Sequence, residues 1–123
     1  MKTKICSLFI LILISVTAHA EKTEIFGVFS SFHESPTSGD LVGEEIHVLP
    51  HPAIVVQGSE GRAGEPELFN VRIIGNNILF KIPEGSMTGL PPGHYEATIT
   101  KSKMILVGPK YKREIPRRKS YWR

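Results

Sequence analysis

Cysteine is nearly absent: the 123 residues contain one, Cys6. It falls in the stretch 1–20, MKTKICSLFILILISVTAHA, where Lys2 and Lys4 precede an unbroken apolar run from Leu8 to Ile14. Small residues, Ala18 and Ala20, then flank His19 ahead of Glu21, as a signal peptidase requires. The expectation is a cleaved secretory signal peptide, since the apolar run is shorter than the ~20 residues of a bilayer-spanning helix. Cys6 lies ahead of the run, whereas a lipoprotein cysteine lies behind it, so no lipid anchor and no stable membrane anchor is expected after cleavage. The mature chain, residues 21–123, then holds no thiol. Disulfides, cysteine nucleophiles, redox pairs and cysteine-based zinc sites are excluded together. Export without disulfide staples points to a Gram-negative periplasm, with the extracellular space as the alternative.

A sustained 3.6-residue apolar period is also missing, as is any repeat of 20–50 residues. Helical bundles and solenoids are thereby excluded, and the length leaves room for one small domain, residues 21–123. Disorder is excluded by the opposite observation: Leu, Ile, Val and Phe supply 28 of the 103 mature residues. Gly and Pro are abundant instead, 20 of those 103, and they separate short β-rich runs. The runs are 25–31, 41–49, 53–57, a hairpin over 68–82 turning at Gly75-Asn76-Asn77, then 95–99 and 104–107. A last short strand is expected within 112–115 or 120–122, and a Gly-rich loop (58–66) and a Pro/Gly-rich loop (83–93) lie between runs. One-face alternation, as in Ile78, Phe80 and Ile82 or Tyr95, Ala97 and Ile99, favours antiparallel pairing. The expected fold is all-β, seven or eight short strands in an antiparallel meander closing into a small barrel, with a β-sandwich as the alternative.

The residues Gly27-x-Phe29, Ser38-Gly39-Asp40-x-x-Gly43-x-Glu45-Ile46, Ser59-Glu60-Gly61 and Pro116-Arg117-x-x-Ser120-Tyr121-Trp122 resemble a group of small uncharacterised exported bacterial β-proteins. That group implies no activity. Gly27-x-Phe29 with a basic residue near the chain end is also similar to the lipocalin-like (calycin) layout. In that layout the first-strand motif is Gly-x-Trp and an Arg near the end packs on the Trp. Here the aromatic is Phe29, and the one Trp is Trp122.

Local catalytic patterns are scarce. His47 and His51 have a four-residue spacing, but on a strand that separates them by about 13 Å, and Pro50 and Pro52 oppose a helix. No HExxH pattern or third acidic ligand joins them or His33 and His94, so no metal is expected. Glu44 and Glu45 are neighbours on a strand and point to opposite faces, and Asp40 reads as a turn residue bonding its own backbone. Ser59 and Ser86 follow glycines outside any Gly-x-Ser-x-Gly. The 58–64 stretch, GSEGRAG, lacks the Lys-Ser/Thr of a phosphate loop, and reads as a mobile hairpin loop. The chain is therefore expected to be non-enzymatic and to need no cofactor.

Charge carries the least ordinary signal. Residues 21–100 have a net charge of −7, while residues 101–123 have +8, with Tyr111, Tyr121 and Trp122 among the basic side chains. Arg113, Arg117, Arg118 and Lys119 with Tyr121 and Trp122 are the candidate binding residues. The expected function is a binding module that recognises an acidic protein surface or an anionic envelope component through this face, and not nucleic acid. The segment also has two purely structural readings: a solvated tail, or a last strand whose aromatics plug the barrel. Two further functional readings are a barrel carrying an apolar ligand among Phe26, Phe29, Phe69 and Phe80, and an inhibitor or immunity-type protein acting by protein–protein contact.

Overall fold

Alternation of apolar and polar side chains organises the whole domain. The computed structural model describes residues 24–122, so the leader expected over 1–20, with Cys6, lies outside the described residues. Ten antiparallel strands form: β1 (Gly27–Ser30), β2 (His33–Glu34), β3 (Leu41–Val48), β4 (Ala53–Gly61), β5 (Glu67–Asn70), β6 (Arg72–Ile74), β7 (Asn77–Ile82), β8 (Gly93–Ile99), β9 (Lys103–Gly108) and β10 (Tyr111–Pro116). Among the described residues there is no helix.

The strands make two five-stranded sheets. In the first the order is β1-β3-β4-β5 with β2 also on β3, and in the second it is β10-β9-β8-β7-β6. Nearly every neighbour is also a neighbour in sequence, which is the meander the alternation implies. Ten strands replace the expected seven or eight for two reasons. The run around Val71 divides into β5 and β6: the Val71 N–H still donates to Pro52 O at 2.9 Å, in register with β4, but Pro52 has no N–H to return, so the β4 ladder ends there and the chain passes to β7. His33 and Glu34 pair separately with Val42 and Leu41. The last strand is β10, and residues 120–122 form none. The glycine-rich loop is shorter than expected, since β4 continues through Gly58 to Gly61 against Leu41–Glu44. Among the described residues no closed ladder runs around the molecule.

The β6–β7 turn follows from Gly75 taking a positive φ of 61°, while Asn77 is already in the strand and accepts from the Thr98 hydroxyl at 3.0 Å. Both sheets face one core. Ile46, Ile54 and Val56 of the first sheet meet Ile78, Ile82, Ile99, Leu106 and Ile115 of the second, all essentially inaccessible to water. Burying each such side chain contributes about 1.5–3 kcal/mol. Phe80 stacks on Tyr95 at 5.4 Å between ring centres, with Phe69 at 6.4 Å from Phe80 and Tyr111 edge-on to Tyr95 at 5.9 Å. The irregular loop expected over 83–93 gives up Gly93 to β8 and folds inward over one end of this core, burying Thr88 and Leu90 and accepting the Gly58 N–H on Thr88 O at 2.6 Å.

Candidate functional site

Two adjacent carboxylates on β3 organise the polar structure, and, as strand geometry requires, they face opposite sides of the sheet. Glu44 shares the inner face with Val42 and Ile46, and only 6% of the residue is exposed. A buried carboxylate persists only with donors around it. The Tyr111 hydroxyl donates to Glu44 Oε1, the Ser31 hydroxyl donates to Oε2 at 2.8 Å, and Arg113 Nε lies 3.3 Å from Oε1. Burial, the hydrogen bond to Glu44 and its negative charge together push the Tyr111 phenol far above its ordinary value. Tyr95 is raised by burial and then by the Glu44 charge. Both phenols therefore remain neutral donors at any physiological pH.

Ser31 reaches Glu44 because Gly43 has no side chain. Gly43 has φ +116°, and a Cβ there would lie 2.5 Å from the Ser31 carbonyl oxygen. Ser31 and His33 on one side, Tyr111, Arg113 and Glu114 on the other, border a cleft of about 490 Å³ whose floor includes Glu44, Ser59 and Leu90. The cleft exists because β1 and β10 touch at one end, through a bridge of Phe29 with Arg117, and part company towards the other.

Glu45 occupies the outer face, opposite Gln57, and is 2% exposed. The chain end covers it. Its carboxylate accepts the Tyr121 N–H at 2.7 Å, the Ser120 hydroxyl at 2.8 Å and His47 Nε2 at 2.9 Å. Burial pushes this carboxyl up, yet the hydrogen bonds from His47, Tyr121, Ser120 and Ser30 outweigh it and hold the group below the usual glutamate range. Residues 117–122 thus lie as a strap over the first sheet. Tyr121 and Trp122 pack edge-on to Phe32, each at 5.9 Å between ring centres, and the Trp122 indole N–H donates to Gln57 Oε1 at 2.7 Å.

A depressed carboxyl stabilises the strap above the unfolded glutamate pKa of about 4.3, and that stabilisation is lost as the pH falls through the folded value. Trp122 is the one tryptophan, so its emission reports the strap. Acidification below about pH 4 is expected to shift that emission to the red before global unfolding. Glu45→Gln is expected to give the same shift at neutral pH and to cost about 1–3 kcal/mol in urea unfolding.

The structure divides the basic–aromatic candidates. Arg117 is engaged within the protein. Its guanidinium donates to the carbonyls of Phe26 (2.8 Å), Lys101 (3.1 Å), Thr100 (3.4 Å) and Glu24, and stacks 4.6 Å from the Phe29 ring centre. Gly27, with φ +135°, makes room for it: a Cβ there would sit 2.9 Å from Arg117 Nη1. Arg113 turns into the cleft. Arg118 donates to Phe32 O at 3.1 Å and remains exposed, as does Lys119. Tyr121 and Trp122 are 40% and 53% exposed. The aromatics of the strap therefore lie on the outside of the first sheet rather than plugging the interior.

Other sequence candidates have local duties. Ser59 donates to Leu41 O at 2.7 Å, and Ser86 pairs with Thr88 at 3.0 Å. Asp40 does not bond its own backbone; its N–H donates to Ser38 Oγ at 3.3 Å. His47 serves Glu45, while His51 is exposed in the turn after β3. Among the described residues no three His, Cys, Asp or Glu side chains converge as metal ligands would. No protein-family model matches the chain, and no curated protein and no solved structure matches it either.

Proposed function

We propose that the mature protein is an exported, non-enzymatic binding module that recognises an acidic protein surface through the outer face of its docked C-terminal strap. The carrying observation is the half-exposed pair Tyr121 and Trp122, locked edge-on to buried Phe32 and flanked by exposed Arg118 and Lys119. Large aromatics already fixed in place lose little entropy on contact, and Trp, Tyr and Arg dominate the energetics of protein interfaces. Charge supports the same reading. Among the described residues, Arg113–Glu44 is the one ion pair joining the basic chain end to the acidic remainder. Arg118, Lys119 and Lys101 consequently face solvent, where they steer an acidic partner at a rate that falls with salt.

The scaffold for this face is proposed as a single barrel. Support comes from the Phe29–Arg117 bridge at one seam and from β5 and β6, which leave only Val71 between the sheets at the other. The Arg117–Phe29 stack also favours the lipocalin-like layout. An apolar cargo is less well supported than protein contact. Phe29 and Phe80 belong to the core and Phe26 and Phe69 pack against it, so the proposed wall residues already fill one another's space.

Affinity capture from envelope extract with the mature protein is the test. One stoichiometric acidic protein is expected, with an affinity that weakens about tenfold or more from low to physiological salt. Binding that is indifferent to salt, or that anionic lipid vesicles reproduce without protein, contradicts the reading.

A further inference from the structure

The cleft at the opposite end from the Phe29–Arg117 bridge has a feature that the strap does not use: an unpaired strand edge forms one of its walls. In β10 the register with β9 is regular from Tyr111 opposite Gly108 to Pro116 opposite Lys103. Direction alternates along such a strand, so every second residue turns its N–H and C=O towards β9 and the others turn away. Arg117 N–H donates to Ser102 O on the β9 side, and Arg118 N–H donates to Val28 O on the β1 side. Even-numbered residues therefore face away from β9. Pro116, which has no N–H to offer, fits that side, as prolines do on strand edges. Lys112 and Glu114 have the same parity, and their main-chain groups face the cleft. Among the described residues no strand pairs with β10 there, because main-chain pairing with β1 is confined to Arg117 and Arg118, beyond the end of β10.

We propose that this cleft is a strand-addition site, which takes a short extended polypeptide segment of a partner protein, bearing a Lys or Arg side chain, along the free edge of β10. An exposed edge is a template for an added strand, with main-chain hydrogen bonds giving affinity and pockets for alternate side chains giving specificity. Four residues of edge, Tyr111 to Glu114, span roughly 10 Å, and the cleft beside them holds about 490 Å³. The opposite wall, Ser31 and His33, lines the same cleft, so an added segment would lie between the two walls.

Charge selects the side chain. Glu60 lies on the inner face of β4, opposite Val42, and it joins Glu44 and Glu114 around the cleft. Arg113 is the one fully cationic side chain there, and its Nε is directed at Glu44. Lys103 holds Glu114 from the far side at 2.7 Å. The carboxylate left exposed and unpaired on the inner face is Glu60, which a guest Lys or Arg directed inward would meet.

A displayed library of random linear peptides, selected on the mature protein, supplies the probe. Peptides enriched in one Lys or Arg within an uninterrupted, proline-free run are expected. The decisive comparison uses the best such peptide against Lys112→Ala and Lys112→Pro. Lys112→Ala removes the side chain and keeps the edge N–H, so affinity should stay within about twofold; Lys112→Pro removes that N–H and should weaken binding at least about tenfold. Glu60→Lys should weaken it similarly, and should restore it for the same peptide with its basic residue changed to Glu. In an amide NMR titration of the unaltered protein, Lys112 and Glu114 should show the largest shifts and slowed hydrogen exchange. Equal binding to all variants, shifts centred on Trp122, or a library that returns no basic consensus would overturn the proposal. If Lys112→Pro fails to fold, the Glu60 charge exchange and the amide shifts decide it. None of these readouts depends on the strap, so this site and the strap face succeed or fail separately.

Discussion

Arg117→Ala is expected to lower stability by about 3 kcal/mol and the melting temperature by roughly 10–20 °C. The guanidinium is a clamp. It gathers the carbonyls of Glu24 and Phe26, which lead into β1, and those of Thr100 and Lys101, which connect β8 to β9, and it lies flat on Phe29 between them. Removing it leaves those carbonyls without their charged donor, exposes the face of a fully buried ring and opens the seam between the two sheets. Arg117→Lys is expected to recover less than half of the loss, since an ammonium is a point donor that can neither span four carbonyls nor stack in a plane. Urea unfolding of the three proteins checks this. A loss below about 1 kcal/mol for Arg117→Ala, the usual worth of a surface contact, contradicts the clamp.

Gly43→Ala is expected to cost about 3–5 kcal/mol, at the upper end for one added methyl group. Two costs coincide. The φ of +116° is strained for any residue with a side chain, and the new Cβ would press 2.5 Å from the Ser31 carbonyl oxygen, which is main chain and cannot rotate away. Ser31 would have to withdraw, taking its hydroxyl from Glu44 and its N–H from Glu44 O. Gly39→Ala is the control. Gly39 also has a positive φ, of 76°, but nothing lies within 4 Å of its missing Cβ. About 1 kcal/mol is expected there. Equal costs at the two positions would show that strain alone acts and that the Ser31 approach is unimportant.

The fold was largely legible because alternation is a local property. Tyr95, Ala97 and Ile99 point inward with Glu96 outward, and Ile78, Phe80 and Ile82 do the same with Lys81 outward, as their order along the chain implies. The break at Val71 was not legible, since it depends on the register that sets Val71 opposite Pro52, nineteen positions earlier, which has no N–H to complete the pair. The same limit governs the site. That Glu44 and Glu45 face opposite sides follows from their adjacency on a strand. That both are buried does not, because Tyr111 and Tyr121, the residues that cover them, lie 67 and 76 positions away. A pair of neighbouring acids on a strand that carries Val42, Ile46 and Val48 on its inner face was the available signal that β3 meets donors from elsewhere. Arg117 and Arg118 are alike in sequence, and their separation into a clamp and an exposed cation depends on Arg117 being the bridge partner of buried Phe29 while the next side chain turns to the other face.

The strap face is best tested by one affinity comparison with the envelope protein that the mature chain captures. A triple variant, Trp122→Ala with Arg118→Ser and Lys119→Ser, removes the exposed aromatic and both flanking charges while leaving Arg117 and Glu45 in place. Binding about a hundredfold weaker than for the unaltered protein is the expected result, in a variant that still unfolds cooperatively in urea despite losing the contacts of Trp122 and Arg118 with Phe32 and Gln57. An affinity that stays within about twofold, with the variant equally well folded, would contradict the assignment of recognition to this face.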